Sequence, residues 1–250
     1  IIGTSGRYEF KNKGIDVFLE SLNRLNRDKD LKKKVLAFVN VPSWVGDPRE
    51  DLQKRLKSKD KFTEPLQCPF ITHWLHNMTH DQVLDMLKYL GMGNRPEDKV
   101  KVIFVPCYQD GHDGILNKHY YDLILGEDLS VYPSYYEPWG YTPLESVAFR
   151  VPTITTDLAG FGLWVNSLKN QHGINDGVEV LHRSDYNYSE VADGIKDTVA
   201  LFSTKTEAEI KEIRKRAGQV AEQALWKHFI QYYYEAYDIA LRNAMKRQLK

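Results

Sequence analysis

Short apolar runs that alternate with amphipathic helical segments constrain the fold of this chain more than any other feature. The runs are continuously apolar, which is typical of strands that are covered on both faces. Their repeated alternation with helices predicts an α/β fold with a doubly wound, mostly parallel sheet. The six predicted strands span residues 1–4, 35–41, 100–106, 129–133, 152–155 and 178–181.

Helical patterns lie between these strands, at residues 14–26, 81–90, 143–149 and 188–202. The charged segment 44–66 predicts an exposed helical excursion, and 118–127 is ambiguous. From Lys205 to Lys246 nearly every residue favours a helix, and Gly218 is the weak point, so we expect one long helix or two joined there. The chain therefore divides into a sheet domain, residues 1–204, and a helical segment, residues 205–250, that packs on it.

Composition excludes several classes of protein. The 250 residues contain 34 basic and 34 acidic side chains, so no excess charge points to nucleic acid. No apolar run approaches the roughly 18 residues of a membrane span. Cys68 and Cys107 form no C-x-x-C pair, which fits a reducing compartment and predicts a cytoplasmic protein. The chain opens inside an apparent strand without an initiator Met, so we expect a piece of a longer protein whose missing part lies upstream.

The segment "PSYYEPWGYTPLES", residues 133–146, predicts the start of a helix. Thr142 suits an N-cap, Pro143 suits the first helical position, and Glu145 completes a capping box. This helix directly follows a strand and a turn at Gly140, a position where open α/β sheets bind ligands and where free N–H groups attract phosphate. Capping and core packing explain most of the segment equally well, but they leave Glu137 unexplained.

Three blocks, "SGRYEFKNKG", "PSYYEPWGYTPLE" and "TTDLAGFG", together resemble the glycogen synthases of the animal and fungal type. The resemblance extends from Gly6 to about Leu241. It implies a retaining glucosyltransferase in which two Rossmann-like halves face each other across a cleft, the GT-B arrangement. It further implies that this chain is only the C-terminal half, and that the N-terminal half of the enzyme is missing.

The resemblance assigns roles to the residues of the Gly140 turn. It implies that Glu137 lies beside the transferred glucose and that Glu145 bonds the ribose hydroxyls. Gly140, Tyr141 and Thr142 are expected to bring backbone N–H groups to the diphosphate. A carboxylate near the anomeric carbon can stabilise the oxocarbenium-like transition state of a retaining transfer.

Two cations and a tyrosine complete the implied site. Arg7 and Lys13 match residues that hold the donor diphosphate and stabilise the leaving UDP, which two cations can neutralise without a metal. A solvated basic loop is the alternative. Tyr120 falls where the family stacks a tyrosine on uracil, although the alignment could shift to Tyr121 and core packing competes.

The implied activity is the transfer of glucose from UDP-glucose to an α-1,4-glucan with retention of configuration, with no metal or other cofactor. The chain alone is expected to be inactive, because half of the cleft is missing. One alternative is a retaining GT-B enzyme with another acceptor, of the sucrose or trehalose synthase type. Another is a non-catalytic glucan-binding or scaffold protein. The sequence does not decide whether the donor is UDP-glucose or ADP-glucose. It also leaves the oligomeric state open, and the full-length protein could be a homo-oligomer.

Two further clusters are weaker signals. His73, His76 and His80 have a spacing close to that of one helix face, yet no acid or cysteine nearby completes a metal site, so His80 with Asp81 is expected to begin a helix. Arg214 and Arg216 match an arginine-rich helix that binds glucose 6-phosphate in the animal and fungal enzymes. Gln219 stands where another arginine is expected, which puts that switch in doubt.

Overall fold

A computed structural model describes residues 1–169 and 171–248 of the chain. All six predicted strands are present, and they form one parallel sheet. The doubly wound parallel fold is therefore confirmed. The strands are β1 (Ile2–Ser5), β2 (Val35–Asn40), β3 (Val45–Pro48), β4 (His73–Leu75), β5 (Val100–Val105), β6 (Leu129–Val131), β7 (Thr153–Thr156) and β8 (Val178–Leu181).

The order of strands across the sheet is β5-β2-β1-β6-β7-β8. The chain moves outward from β1 in one direction and from β6 in the other, so right-handed crossovers place the two sets of helices on opposite faces. The helices are α1 (Ile15–Arg27), α2 (Glu50–Lys57), α3 (Gln82–Tyr89), α4 (Tyr120–Leu125), α5 (Tyr141–Ala148), α6 (Gly160–Asn166), α7 (Tyr188–Ser203), α8 (Glu207–Gln223) and α9 (Trp226–Gln248), with a short 3-10 helix at Ile174–Asp176.

Each face of the sheet has its own core. On one face α1 packs on α3 and α7, and Val17, Phe18 and Leu19 of α1 are fully buried. On the other face α5 packs on α6 and α8 around Phe161 and Ala217. The strand order reverses between β1 and β6, which places a crevice at the carboxyl ends of these two neighbouring strands.

A buried acid lies beneath this crevice. Glu127, at the entrance to β6, is buried, and the burial raises the pKa of its carboxyl to about 8. Its Oε2 has no hydrogen-bond partner among the residues that the structure describes. Gly3 of β1 faces this carboxylate, and a Cβ at that position would overlap it.

The region predicted as an exposed helical excursion is only partly helical. α2 has no buried residue, as predicted, but β3 precedes it and pairs with β4 in an antiparallel hairpin. Arg49 is fully buried, contrary to the prediction. Its guanidinium donates to the Asp51 carboxylate at 2.6 Å and to the carbonyls of Gln67 and Cys68, both at 2.6 Å, so the segment folds around a paired arginine.

The C-terminal segment forms two helices, but the predicted junction at Gly218 is wrong. α8 continues through Gly218 and ends at Gln223. Glycine at 218 accommodates the Arg150 side chain, which a Cβ there would meet at 3.0 Å. α8 buries Ile213, Ala217 and Val220 against the domain, whereas most side chains of α9 are exposed. No helix within residues 1–169 and 171–248 combines the length and apolar character needed to cross a membrane.

Candidate active site

Two loops meet at the crevice, one after β1 and one after β6. The backbone N–H of Tyr135 donates to the carbonyl of Asn12 at 2.7 Å, which ties the loops together. Gly14 begins α1 in a left-handed conformation with φ of 66°. It lies so close to the Pro133 carbonyl that no Cβ fits. The loops therefore hold each other in one arrangement.

Lys13 and Glu137 form an ion pair between these loops. Their side chains are only 15% and 16% exposed. Burial lowers the pKa of the Lys13 ammonium, Arg7 acts in the same direction, and Glu9 opposes both. The backbone of Glu137 is fixed as well, since its N–H donates to Leu158 at 3.2 Å and its carbonyl accepts from Gly160 at 3.1 Å. The site thus places one acid and one cation at the crevice.

Arg7 differs from Lys13 because its side chain is 76% exposed. Its guanidinium lies 3.1 Å from the Glu9 carboxylate and lines a cavity of about 440 Å³ at the carboxyl ends of β1, β2 and β5. The cavity is lined by Ser5, Gly6, Arg7, Asn40, Pro42, Cys107, Tyr108, Gln109, Asp110, Tyr120 and Thr142. Its volume lies in the range of about 300–1,000 Å³ that is usual for small-molecule sites.

Sequence reasoning missed most of this lining. Ser5 and Asn40 are the last residues of β1 and β2, and Cys107 follows β5 closely. Ligands of open α/β sheets bind at such strand ends. This rule predicts these lining residues when it is applied to every predicted strand and not only to the strand before the Gly140 turn.

Tyr120, and not Tyr121, lines the cavity. The Tyr120 hydroxyl lies 2.9 Å from Ser5 Oγ, and burial raises the pKa of this phenol to about 12. Tyr121 is exposed and stacks on Phe149, and its hydroxyl donates to Glu145 at 3.3 Å. The two neighbours therefore face different surroundings.

The predicted capping box at Thr142 and Glu145 is wrong. α5 begins two residues earlier, at Tyr141 instead of Pro143, with Gly140 as its N-cap at φ of 103° and no side-chain cap. Thr142 is thus inside the first turn, where it lines the cavity, while the Tyr141 side chain faces a separate cavity beside Trp139. The first N–H groups of a helix have no intrahelical acceptor, so this end of α5 can receive an anion.

The three histidines do not share a helix. His73 lies in β4, and His76 follows that strand and stacks on Trp44. The Asp81 carboxylate caps α3 by accepting from Val83 and Leu84, so the predicted helix start at His80 and Asp81 is confirmed.

His73 does lie near Cys107 and Asp113, with ligand atoms within 4.8 Å of one another. His73 and Asp113 already have hydrogen-bond partners, and Cys107 favours the protonated thiol. His73 Nδ1 lies 2.9 Å from Thr72 Oγ1, and Nε2 lies 2.7 Å from the Asp113 carbonyl. The Asp113 carboxylate accepts three backbone N–H groups, from residues 115–117. Burial raises the pKa of the Cys107 thiol to about 12, which disfavours the thiolate that metals bind.

Arg214 and Arg216 are both bound within the chain. Arg214 donates to the Glu127 carbonyl at 2.6 Å and lies 3.6 Å from the Asp128 carboxylate. Arg216 pairs with Asp176 at 2.9 Å. Both arginines thereby fasten α8 to the domain.

Comparison with known proteins identifies the family. The profile of the glycogen synthase family matches residues 1–47 and 47–250. This chain belongs to the glycogen synthase family. It is 28% identical to the glycogen [starch] synthase of Neurospora crassa, over 96% of this chain and 42% of that protein. Identity to the Caenorhabditis elegans glycogen [starch] synthase is 32%, over 72% of this chain and 34% of the relative. The chain spans less than half the length of these relatives.

Solved structures confirm the fold. The pneumococcal O-GlcNAc transferase GtfA, solved in complex with UDP and GlcNAc, superposes with a TM-score of 0.51 at 13% identity. The match covers 96% of this chain and 35% of that one. This glycogen synthase family chain thus has the fold of one half of a GT-B glycosyltransferase.

Proposed function

We propose that this chain is the donor-binding half of a retaining glucosyltransferase that transfers glucose from UDP-glucose to an α-1,4-glucan. The observation that carries the proposal is the pairing of Lys13 with Glu137 at the strand-order reversal, beside a cavity of about 440 Å³. The loops on the two sides of the reversal supply opposite charges, which is what the departure of a diphosphate from a sugar requires.

The nucleoside occupies the cavity in this proposal, with its base against Tyr120. The diphosphate lies between Arg7 and the first turn of α5, where backbone N–H groups of residues 140–142 receive it. Glu145 bonds the ribose from the rim, close to Tyr121. Arg7 is free to turn toward the phosphates because most of its side chain is exposed.

The chemistry follows from charge. As the glycosidic bond to the diphosphate breaks, positive charge develops on the sugar and negative charge on the leaving group. Glu137 stabilises the sugar, and Lys13 with Arg7 stabilises the diphosphate. These two cations meet the charge requirement without a metal or another cofactor.

The rest of the enzyme supplies the acceptor side. α9 exposes Trp226, Tyr233 and Tyr237, and with Trp139 and Trp164 it borders a second cavity of about 520 Å³. We assign this surface to the missing N-terminal half, because the chain covers only 42% of its Neurospora crassa relative. Free Cys68 and Cys107 fit a reducing compartment, so we place the protein in the cytoplasm.

Calorimetry of the full-length protein with UDP and ADP, beside a glucose-transfer assay on glycogen, tests the proposal. We expect UDP to bind with the same affinity in EDTA as in magnesium, and glucose transfer to keep the α configuration. Tighter binding of ADP than of UDP would indicate that the donor is ADP-glucose. Loss of binding in EDTA that magnesium restores would contradict the metal-free mechanism, and a lack of transfer to glycogen would contradict the proposed activity.

A further inference from the structure

Trp44 presents a flat aromatic surface outside the donor site. It precedes the β3–β4 hairpin and is 74% exposed. Its ring stacks on His76 with 4.7 Å between the ring centres, and the backbone N–H of His76 donates to the Trp44 carbonyl at 3.2 Å. The backbone contact and the stack hold the indole in place, and the remaining exposure leaves it open to a ligand.

A small polar cavity of about 180 Å³ adjoins this ring. It is smaller than the roughly 300–1,000 Å³ of drug-sized sites, so it suits a single sugar ring better than a nucleotide. Hydrogen-bonding groups of Tyr8, Ser43, Asn77, His80, Asp81 and Gln82 surround it. The amide nitrogens of Asn77 and Gln82 donate to no other group within residues 1–169 and 171–248.

We propose that Trp44 and this cavity form an accessory glucan-binding subsite. The choice of a glucan as the ligand rests on the proposed function. The apolar C–H face of a pyranose stacks on an aromatic ring, and amide and hydroxyl groups bond its hydroxyls. No lysine or arginine lines the cavity, which disfavours a phosphate ligand. Asp81 already accepts from Tyr8, Val83 and Leu84.

The subsite is linked to the donor site through Tyr8. This residue follows Arg7 in the loop after β1, and its hydroxyl donates to Asp81 at 2.8 Å and accepts from the Val83 N–H at 3.0 Å. A glucan held at Trp44 therefore stays near the loop that binds the donor.

The test compares Trp44→Ala with Trp44→Phe and Tyr186→Ala in the full-length protein. Tyr186 is the matched control, because it is 93% exposed and lies outside the cavity. We expect Trp44→Ala to raise the KM for glycogen roughly threefold to tenfold, the effect of losing one aromatic stack. Trp44→Phe should restore most of the affinity, while kcat and the KM for UDP-glucose stay unchanged in all three variants.

Electrophoresis through gels that contain glycogen gives a second readout, which does not depend on glucose transfer. Trp44→Ala should migrate faster than the wild type there, and Asn77→Ala provides an independent variant if Trp44→Ala fails to fold. Unchanged migration of the folded variants, or an equal shift in Tyr186→Ala, would overturn the subsite. So would a Trp44→Ala variant that loses stability and kcat together, since that result assigns Trp44 to contact with the N-terminal half. A wild type that binds glycogen but transfers no glucose contradicts the proposed function alone.

Discussion

Glu137 and Glu145 lie eight residues apart, yet the turn that holds one and the helix that holds the other are physically different regions. Glu137 is nearly buried and paired with Lys13 from another loop, and its backbone is bonded on both sides. Glu145 lies in α5 and accepts one long hydrogen bond from the exposed Tyr121. The same sequence motif therefore supplies a fixed charge at one end and an adaptable acceptor at the other.

Glu137→Gln in the full-length enzyme tests the difference between the two glutamates most directly and should have the largest effect. We expect kcat to fall by roughly 10²–10³, the loss typical of one preorganised electrostatic contact. The KM for the donor should stay unchanged or fall, because Lys13 is then released for the diphosphate. Steady-state kinetics measure both constants, and near-normal turnover would show that Glu137 is structural.

Arg7→Ala separates donor binding from the buried pair. It should weaken UDP binding by about 1.5–3 kcal/mol, the contribution of a hydrogen bond to a charged group. Stability should not change, since Arg7 is exposed. Lys11→Ala is the control, because this exposed cation lies in the same loop but outside the cavity lining. Equal losses of UDP affinity in calorimetry would mean that only the general charge of the loop matters.

Gly140→Ala tests the junction between the two regions. The added methyl has room, with Pro143 Cγ at 3.4 Å and Ala159 Cβ at 3.7 Å, so its cost comes from the left-handed backbone. We expect a loss of about 1–2 kcal/mol in urea unfolding and weaker UDP binding. Gly91→Ala, also at positive φ but outside the cavity lining, should lose stability without losing affinity. Retention of full UDP affinity in Gly140→Ala would exclude the start of α5 from phosphate binding.

Glu145→Gln should have the smallest effect. Without a capping box, the free energy of unfolding should stay within about 0.5 kcal/mol of the wild type, as for other surface changes. UDP affinity should fall modestly, because an amide replaces one ribose acceptor. Tyr121→Phe serves as the control for the lost hydroxyl contact. A stability loss near 1 kcal/mol, typical of a lost cap, would restore the capping interpretation.

The sheet could be predicted because continuous apolar runs report burial on both faces. The β3–β4 hairpin could not, since its strands are short and the segment around them is charged. The burial of Arg49 was also invisible, because arginine is almost never fully buried unless it is paired, and its carbonyl partners lie 18 and 19 residues away.

The candidate site was found through its resemblance to a family, and local chemistry alone left it undecided. The pairing of Lys13 with Glu137 joins residues 124 positions apart, which no local pattern reports. The capping prediction failed because Thr142 and Glu145 satisfy the motif in sequence, while the positive φ of Gly140 starts the helix two residues earlier. The roles of the site residues remain predictions for the variants above.

The contact between Gly3 and Glu127 favours one order of substitution at these two positions of the sheet. A side chain at position 3 would overlap the buried carboxylate and force the end of the Glu127 side chain to shift, so it is tolerated best after position 127 has acquired a shorter residue. The reverse order, a shorter residue at 127 while Gly3 is retained, costs only a cavity. Among descendants of this sequence the two positions should therefore covary, and the change at 127 should precede the change at 3.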